Sequence, residues 1–300
     1  MSESSTPFVS VIVPVYNDPK RLERCLQALE NQSYEKRSYE VIVVDNASDK
    51  SVEPIVRQFH QARTVRENRS SSYAARNTGL ASARGGVIAF TDADCVPSSS
   101  WLERGVATLL RTPNCGLVAG KIEIFFRDPS RPTGVELYEG LTALPQKKFI
   151  EAGKFGATAN IFTFRSVFER VGLFDDETRS GGDVEWGQRV FEAGYALIYA
   201  DDACVAHPAR HSLRELYVVT IRRIGGVHLL KPRKQASFLG IDRSLFGDLL
   251  PPIRHSMEAL ADSRLKSATD KVKVIAVMFF VRYVEAWERL RLKFGGKAQR

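Results

Sequence analysis

The sequence predicts an α/β fold: a mostly parallel sheet flanked by helices, with a helical C-terminal extension. Three observations point there. Short apolar, β-branched runs alternate with helix-period segments through the first hundred residues. Three of those runs stop at polar or acidic side chains. Beyond His211 the pattern turns helical and basic.

Phe8 to Val15 reads as the first buried strand. Asp18-Pro19 then supplies a cap and first-turn pair, and Leu22, Cys25, Leu26 and Leu29 recur at helical spacing. Tyr39 to Val44 is a second strand, ending in Asp45-Asn46. Ile55, Val56 and Phe59 suggest a helix, Thr64 to Arg66 a short strand, and the Ala-rich stretch Ser72 to Ala83 another helix. Val87 to Thr91 is a third buried strand and runs straight into Asp92-Ala93-Asp94. Continuously apolar strands separated by helices belong to a parallel sheet covered on both faces.

After a helix at Trp101 to Leu110 the rhythm changes. Leu117 to Phe126 reads as extended. Arg127 to Lys148 carries three prolines and reads as an insertion or mobile loop. Thr158 to Phe164 is strand-like, Val184 to Ala193 fits a helix ended by Gly194, and Ala196 to Ala200 fits a strand. From Leu213 the chain reads as helical, with breaks near Gly225-Gly226 and at Pro251-Pro252.

Composition narrows the function classes. The chain has 300 residues, 44% hydrophobic and 26% charged, the balance of an ordinary globular protein. Its net charge of +8 is concentrated: Asp201 to Arg300 holds 19 Lys/Arg against 10 Asp/Glu, so the rest is near neutral. Four scattered cysteines form no C-x-x-C pair, which argues against a zinc knuckle or disulfide framework and for reduced thiols in the cytosol. The polar start lacks the apolar core of a signal peptide, and no apolar run reaches transmembrane length. No aromatic-and-basic motif points to nucleic acid.

In open α/β sheets ligands bind beyond the carboxyl ends of the strands. Here those ends deliver Pro14-Val15-Tyr16-Asn17, Asp45-Asn46 and Asp92-Ala93-Asp94. Asp92 and Asp94, two residues apart in a turn, are hard oxygen ligands suited to Mg²⁺ or Mn²⁺, or else caps of a turn. Asp45 either accepts from a nucleobase N–H or is a solvated strand-end carboxylate. Arg76 and Asn77 lie on the helix before that turn, where Arg76 either meets phosphate or lines a polar face. Asp183 follows Ser180-Gly181-Gly182 at the start of a helix, as an N-cap, a general base, or both. His207, after the last strand, is a candidate metal ligand or a structural imidazole.

These segments together resemble family 2 glycosyltransferases, inverting enzymes of the GT-A fold. The resemblance covers roughly Val9 to His211 and rests on Val9 to Asn17, Val43 to Ser48, Ala75 to Leu80, Phe90 to Asp94 and Gly182 to Trp186, five motifs in the family's order. It implies a catalytic domain over 1–211, with a nucleotide-sugar half at about 8–97 and an acceptor half at about 115–211, and a basic helical extension over 212–300. It implies that Asp45 reads the base, typically uracil; that Asp92, Asp94 and His207 hold Mn²⁺ or Mg²⁺; and that Asp183 is the base. Pro14, Tyr16, Asp45, Arg76, Asn77, Asp92 and Ala93 form the expected donor-binding set, and Gly156 to Asn160 the acceptor side. The family often has Glu-Asp where this chain has Gly182-Asp183, leaving Glu185 as the neighbouring carboxylate.

The function so implied is inverting transfer from a nucleotide diphosphate sugar to a saccharide or lipid-linked acceptor, in polysaccharide or glycoconjugate synthesis. Two competing readings are a sugar nucleotidyltransferase, disfavoured because Tyr16 to Pro19 is no Gly-rich basic loop, and a non-catalytic protein of the membrane surface. For the latter, and for peripheral membrane contact by a cytoplasmic enzyme, Lys273 to Arg282 is the candidate interfacial helix.

Overall fold

The computed structural model describes residues 6–178, 180–230 and 250–298. The first few residues, read above as lacking a leader, and part of the basic extension lie outside the described residues.

In chain order the main elements are β1 (Val9–Val15), α1 (Pro19–Glu30), β2 (Tyr39–Asn46), α2 (Glu53–Val56), β3 (Ala62–Glu67), α3 (Ser72–Ser82), β4 (Val87–Thr91), β5 (Val96–Pro97), α4 (Trp101–Arg111) and β6 (Cys115–Phe125). Then come α5 (Gly134–Thr142), α6 (Gln146–Lys148), β7 (Asn160–Phe164), α7 (Arg165–Val171), α8 (Gly182–Glu192), β8 (Ala196–Pro208), α9 (Leu213–Leu230), α10 (Ile253–Ala261) and α11 (Ala268–Lys293). The eight strands form one mixed sheet in the order β3-β2-β1-β4-β7-β6-β8-β5. Its first half is parallel, as the alternation of strands and helices predicts. The second half is added antiparallel, beginning with β7 against β4.

The chain folds as two compact units. The first comprises residues 1–123, 144–178 and 182–207. Its central strands are buried on both faces, and their two-residue period divides the core. Val9, Val11 and Val13 of β1 and Val41 and Val43 of β2 pack with Leu22 and Leu26 of α1 and Trp101 of α4. Ile12, Ile42 and Val44 point the other way, toward Ala75 of α3, Val167 of α7 and Trp186 of α8. A polar network closes the amino end of the sheet. The Glu40 carboxylate, almost wholly buried, accepts from Ser10 Oγ at 2.8 Å, from the Arg84 backbone N–H at 2.9 Å and from the Arg63 guanidinium at 3.0 Å. Close approach explains Gly85 here, since a Cβ would come within 2.6 Å of the Ser10 backbone nitrogen.

Asn160, fully buried at the start of β7, holds the antiparallel half together. Its amide donates to Lys121 O and Ala203 O at 2.8 Å each, and its carbonyl accepts from the Trp101 indole at 2.8 Å. The segment Ala157 to Asn160 is buried throughout. The expectation that Asn160 lines an acceptor site is therefore corrected: its amide is spent inside the protein.

The second unit comprises residues 124–143, 179–181 and 208–300. The stretch 127–148, expected as an insertion or mobile loop, contains α5 and α6. Three prolines suggested a loop, but Thr133 and Glu136 form a reciprocal capping box that starts α5. Val135 of α5 packs with Leu216 of α9 and Val277 and Val281 of α11, and Leu137 packs with Ala259, Leu265 and Val274. The expected break at Gly225-Gly226 is also absent, because α9 runs through it. Gly226 answers to packing: a Cβ there would meet Ser180 O at 2.5 Å. Pro252, by contrast, does punctuate the chain, as the N-cap of α10. Among the described residues no helix is long and apolar enough to cross a membrane.

The Asn160 contacts predict a stability effect. Asn160→Ala strands the Trp101 N–H and two buried carbonyls, so it is expected to lower the unfolding free energy by about 2–4 kcal/mol. Urea denaturation should show a lower midpoint with unchanged slope.

Candidate functional site

Register sets the site. Val15 at the end of β1 pairs with Asp45 at the end of β2, and Ile12 pairs with Phe90, two residues before Asp92. Asp45 and Asp92 therefore flank β1 at one edge of the sheet. With strands about 4.8 Å apart, they stand roughly 10 Å from each other.

Asp45 is almost fully buried, with a side chain 3% exposed. One oxygen accepts from the Ser48 N–H at 3.0 Å and the other meets the Arg66 guanidinium at 2.8 Å. Arg66 is the register partner of Asp45 on β3, a relation that motif reading along one segment does not reveal. Ala47 takes a left-handed φ of 59°, an uncommon conformation for a residue with a Cβ. That turn is tied to the loop after β1: the Asn17 side chain and Asp49 exchange two 2.9 Å bonds, and the Asn17 N–H donates to Ser48 Oγ at 3.0 Å. Beside this tie Tyr16 is 60% exposed, an open ring at the strand end, while Pro14 sits within β1 opposite Val44.

The Asp92-Ala93-Asp94 turn closes with a Cys95 N–H bond to Asp92 O at 3.0 Å. Ala93 packs into the core, so only its backbone could face a donor. Asp92 Oδ1 lies 2.5 Å from Arg76 Nη2. Arg76, buried in α3, also donates to Ser72 O at 3.2 Å, and its Nε has no hydrogen-bond partner among the described residues. A buried guanidinium joined to an acidic turn lines no polar surface face. Asn77 is different. Its amide donates to Phe174 O at 2.9 Å and accepts from Phe174 N–H at 3.2 Å, clamping the loop before α8. Each end of the amide thus makes a structural bond to the Phe174 backbone.

His207 reaches Asp94 through the antiparallel half. Val96 of β5 pairs with Ala206 of β8, which sets the next residue of β8 beside the D-x-D turn. His207 Nε2 stands 3.8 Å from Asp94 Oδ1. Burial holds the Asp94 carboxyl above the usual range, and Asp92 adds to the shift, while His207 and Arg21 oppose it. Such a group gains from a cation. Two ligands of one octahedral ion lie roughly 3 to 4 Å apart, so the carboxylate–imidazole pair fits Mn²⁺ or Mg²⁺. Cys95 Sγ falls within the same 4.8 Å cluster. Burial drives its thiol well up, with the Asp92 and Asp94 charges adding to the shift, and a soft sulfur suits Mn²⁺ or Mg²⁺ less than oxygen does.

Asp183 is the second residue of α8, in its first turn and not its cap. Gly181 enters the turn at φ 88°. Asp183 Oδ1 accepts from the Tyr73 hydroxyl at 3.1 Å and from the Val184 N–H at 3.0 Å, so neither bond uses Oδ2. Desolvation raises its carboxyl above the ordinary aspartate range, and the nearby Arg76 and the Tyr73 bond pull it back. Arg76 also sits over the Tyr73 ring, 5.6 Å from its centroid. One contact chain thus runs Asp92–Arg76–Tyr73–Asp183. Tyr73 escaped the motif reading, although its i,i+3 spacing from Arg76 puts both on one helical face. Arg189 holds both oxygens of Glu185, the neighbouring carboxylate, at 2.5 and 2.9 Å.

The structure therefore brings Arg76, Asp92 and Asp183 together through Tyr73, joins Asp94 to His207, and sets Asp45 along the same sheet edge. Comparison with known proteins identifies the family. The model of glycosyl transferase family 2 matches residues 10–172. The chain is 42% identical over 212 residues to glycosyltransferase AglE of Haloferax volcanii, covering 69% of each. It is 31% identical over 214 residues to a pre-mycofactocin glycosyltransferase of Mycobacterium tuberculosis, where the match covers 69% of this chain but 44% of the relative. Two solved structures share the fold. The mannosyltransferase PcManGT of Pyrobaculum calidifontis, in complex with GDP-Man and Mn²⁺, superposes with a TM-score of 0.58 at 21% identity, over 98% of this chain and 77% of that one. GalNAc-T7 with UDP, GalNAc and Mn²⁺ gives 0.54 at 18% identity, over 69% and 45%. The fold is GT-A, and the chain belongs to glycosyl transferase family 2.

Proposed function

We propose that this glycosyltransferase moves a sugar from a nucleoside diphosphate donor, UDP-linked, to an acceptor hydroxyl with inversion at the anomeric carbon. The observation that carries this reading is the contact chain from Asp92 through Arg76 and Tyr73 to Asp183. It sets a desolvated carboxylate near the acidic turn that faces the diphosphate.

Asp45 and Arg66 hold the base at the β2 end, with Tyr16 as the exposed ring beside them. Arg76 fixes Asp92 and adds positive charge where diphosphate oxygens lie. Asp94 and His207, with Asp92, would hold the cation, which would supply positive charge to offset a diphosphate leaving group. Asp183 Oδ2 takes the proton of the acceptor hydroxyl as that oxygen bonds to the anomeric carbon. The bond from that carbon to the diphosphate oxygen breaks on the opposite face. One base suffices, because no covalent glycosyl-enzyme forms.

The acceptor is proposed to be saccharide or lipid-linked, presented at the cytoplasmic face of a membrane. Eleven of the sixteen exposed large apolar side chains among the described residues lie between Leu213 and Phe294, in the basic part of the chain. Ile253, Met257 and Leu260 form an exposed stripe on α10. The expected interfacial segment Lys273 to Arg282 is corrected in part: Val274, Val277 and Val281 are buried in the second unit's own core. Tyr283 and Trp287, farther along α11, are the exposed aromatics. Four free thiols, three of them buried, suit the reducing compartment proposed.

Three measurements test this. Asp183→Asn is expected to lower kcat by about 10³-fold or more while leaving UDP-sugar affinity, read by calorimetry, within roughly twofold. Turnover near wild type removes Asp183 from the mechanism. His207→Ala and Asp94→Asn are each expected to weaken Mn²⁺ binding by roughly tenfold or more, measured by titration without any sugar. For the membrane, the full chain should float with vesicles rich in anionic lipid. Met257→Glu and Trp287→Glu together should reduce that flotation, and equal flotation excludes the two aromatic and apolar patches.

A further inference from the structure

We propose that Tyr73 is the positioning residue of the base: its hydroxyl fixes Asp183 Oδ1, and its ring fills the space that a side chain at position 182 would need. The inference rests on the reading of Asp183 as base and extends it to how that base is aimed.

Two independent contacts support it. The Tyr73 hydroxyl donates to Asp183 Oδ1 at 3.1 Å. A Cβ built on Gly182 would meet three atoms of the Tyr73 ring at 2.9 Å each, closer than real Cβ contacts come. The ring is also held on its other sides. It is buried, tilted against Phe174 with centroids 5.7 Å apart, and covered by the Arg76 guanidinium. Glycine at 182 and tyrosine at 73 are therefore one device. The chain gives up a side chain beside the base and gains a rigid aromatic that carries a hydrogen-bond donor.

The donor has a direction. A phenol at this depth keeps its proton, since burial, with the Asp183 charge added, drives the Tyr73 pKa far up. Tyr73 can then only donate to the carboxylate, which holds Oδ1 inward and turns Oδ2 away as the oxygen that takes the acceptor proton. The charged and titratable groups facing Asp183 from α3 are Tyr73 and Arg76. On its own helix Glu185 is engaged by Arg189, and Asp92 stands on the far side of Arg76. Arg76 and the phenol both favour the ionised carboxylate, so removing the phenol leaves desolvation less opposed.

The sign follows. The carboxylate must be ionised to accept a proton, so the rate falls as pH falls through its pKa. Tyr73→Phe keeps the ring and deletes the bond, so the acidic limb of the kcat profile should move to higher pH by roughly half a unit to one unit. At pH 7 kcat should fall about tenfold with donor affinity unchanged. Gly182→Ala should displace the ring and move the limb the same way. In the Tyr73→Phe background it should move the limb no further, the coupling expected of two residues acting through one contact. A merely structural Tyr73 would lower the melting temperature and leave the limb in place, and that outcome overturns the proposal. Asp183→Asn separates the two failures. If it is inactive while the Tyr73→Phe limb stays fixed, the positioning role fails and the base stands. If Asp183→Asn still turns over, the reading of the base itself fails.

Discussion

Arg76 is a cation held out of water, and the arrangement of the site follows from how that charge is compensated. Desolvating a guanidinium costs several kcal/mol unless charges and hydrogen bonds return it. Here Asp92 lies at 2.5 Å, Ser72 O accepts a second bond, and Asp183 lies within electrostatic reach. Nε remains without a partner among the described residues, so the compensation is incomplete in this state. An anionic ligand at this edge would add to it. The same charge that anchors the acidic turn also favours ionised Asp183. A single helix residue thus couples the group proposed to hold the diphosphate side to the group proposed to take the proton. Moving Asp92 would strip the cation, whose charge favours ionised Asp183, of its ion pair.

Much of this was legible in the sequence, and the legible part has a physical signature. Strands buried on both faces must be apolar throughout, so β1, β2 and β4 announce themselves, and the polar residues where they stop mark the ligand-binding edge. Asp45 and Asp92 were visible for that reason, and Asp183 because a Gly-Gly turn sets it at the start of a helix. What local pattern hides is any partner supplied by another element. Arg66 becomes the partner of Asp45 only through the β2–β3 register, and Tyr73 meets Asp183 across 110 residues of chain. Asn77 shows the converse. It sits next to Arg76 in a motif, yet its amide faces Phe174, because neighbouring positions on a helix point about 100° apart.

The same logic explains where the reading of elements erred. Proline and glycine were taken as breaks, but each has several uses. The prolines around α5 lie outside the helix proper, and a capping box starts it. Gly226 sits inside α9 because the Ser180 carbonyl leaves no room for a Cβ. A close approach and a turn ask for the same residue, and only coordinates tell them apart. Gly182 belongs to the first kind as well, although Gly181 before it does adopt a left-handed turn.

The antiparallel half of the sheet has a consequence for the proposed metal site. The parallel half alone delivers Asp92 and Asp94 but no imidazole, since every connection there returns through a helix to the opposite edge. β8 approaches instead as the partner of the two-residue strand β5, which begins two residues after Asp94. Antiparallel pairing converts a separation of more than a hundred residues into adjacency, and a one-residue slip would turn His207 to the other face of the sheet. That register is pinned from the core. Asn160 bonds the Ala203 carbonyl of β8, and the carbonyl of Cys204 accepts from the Ser98 N–H just past β5. Buried hydrogen bonds therefore fix where the imidazole stands, and the geometry offered to a cation is set by packing several residues away from any ligand.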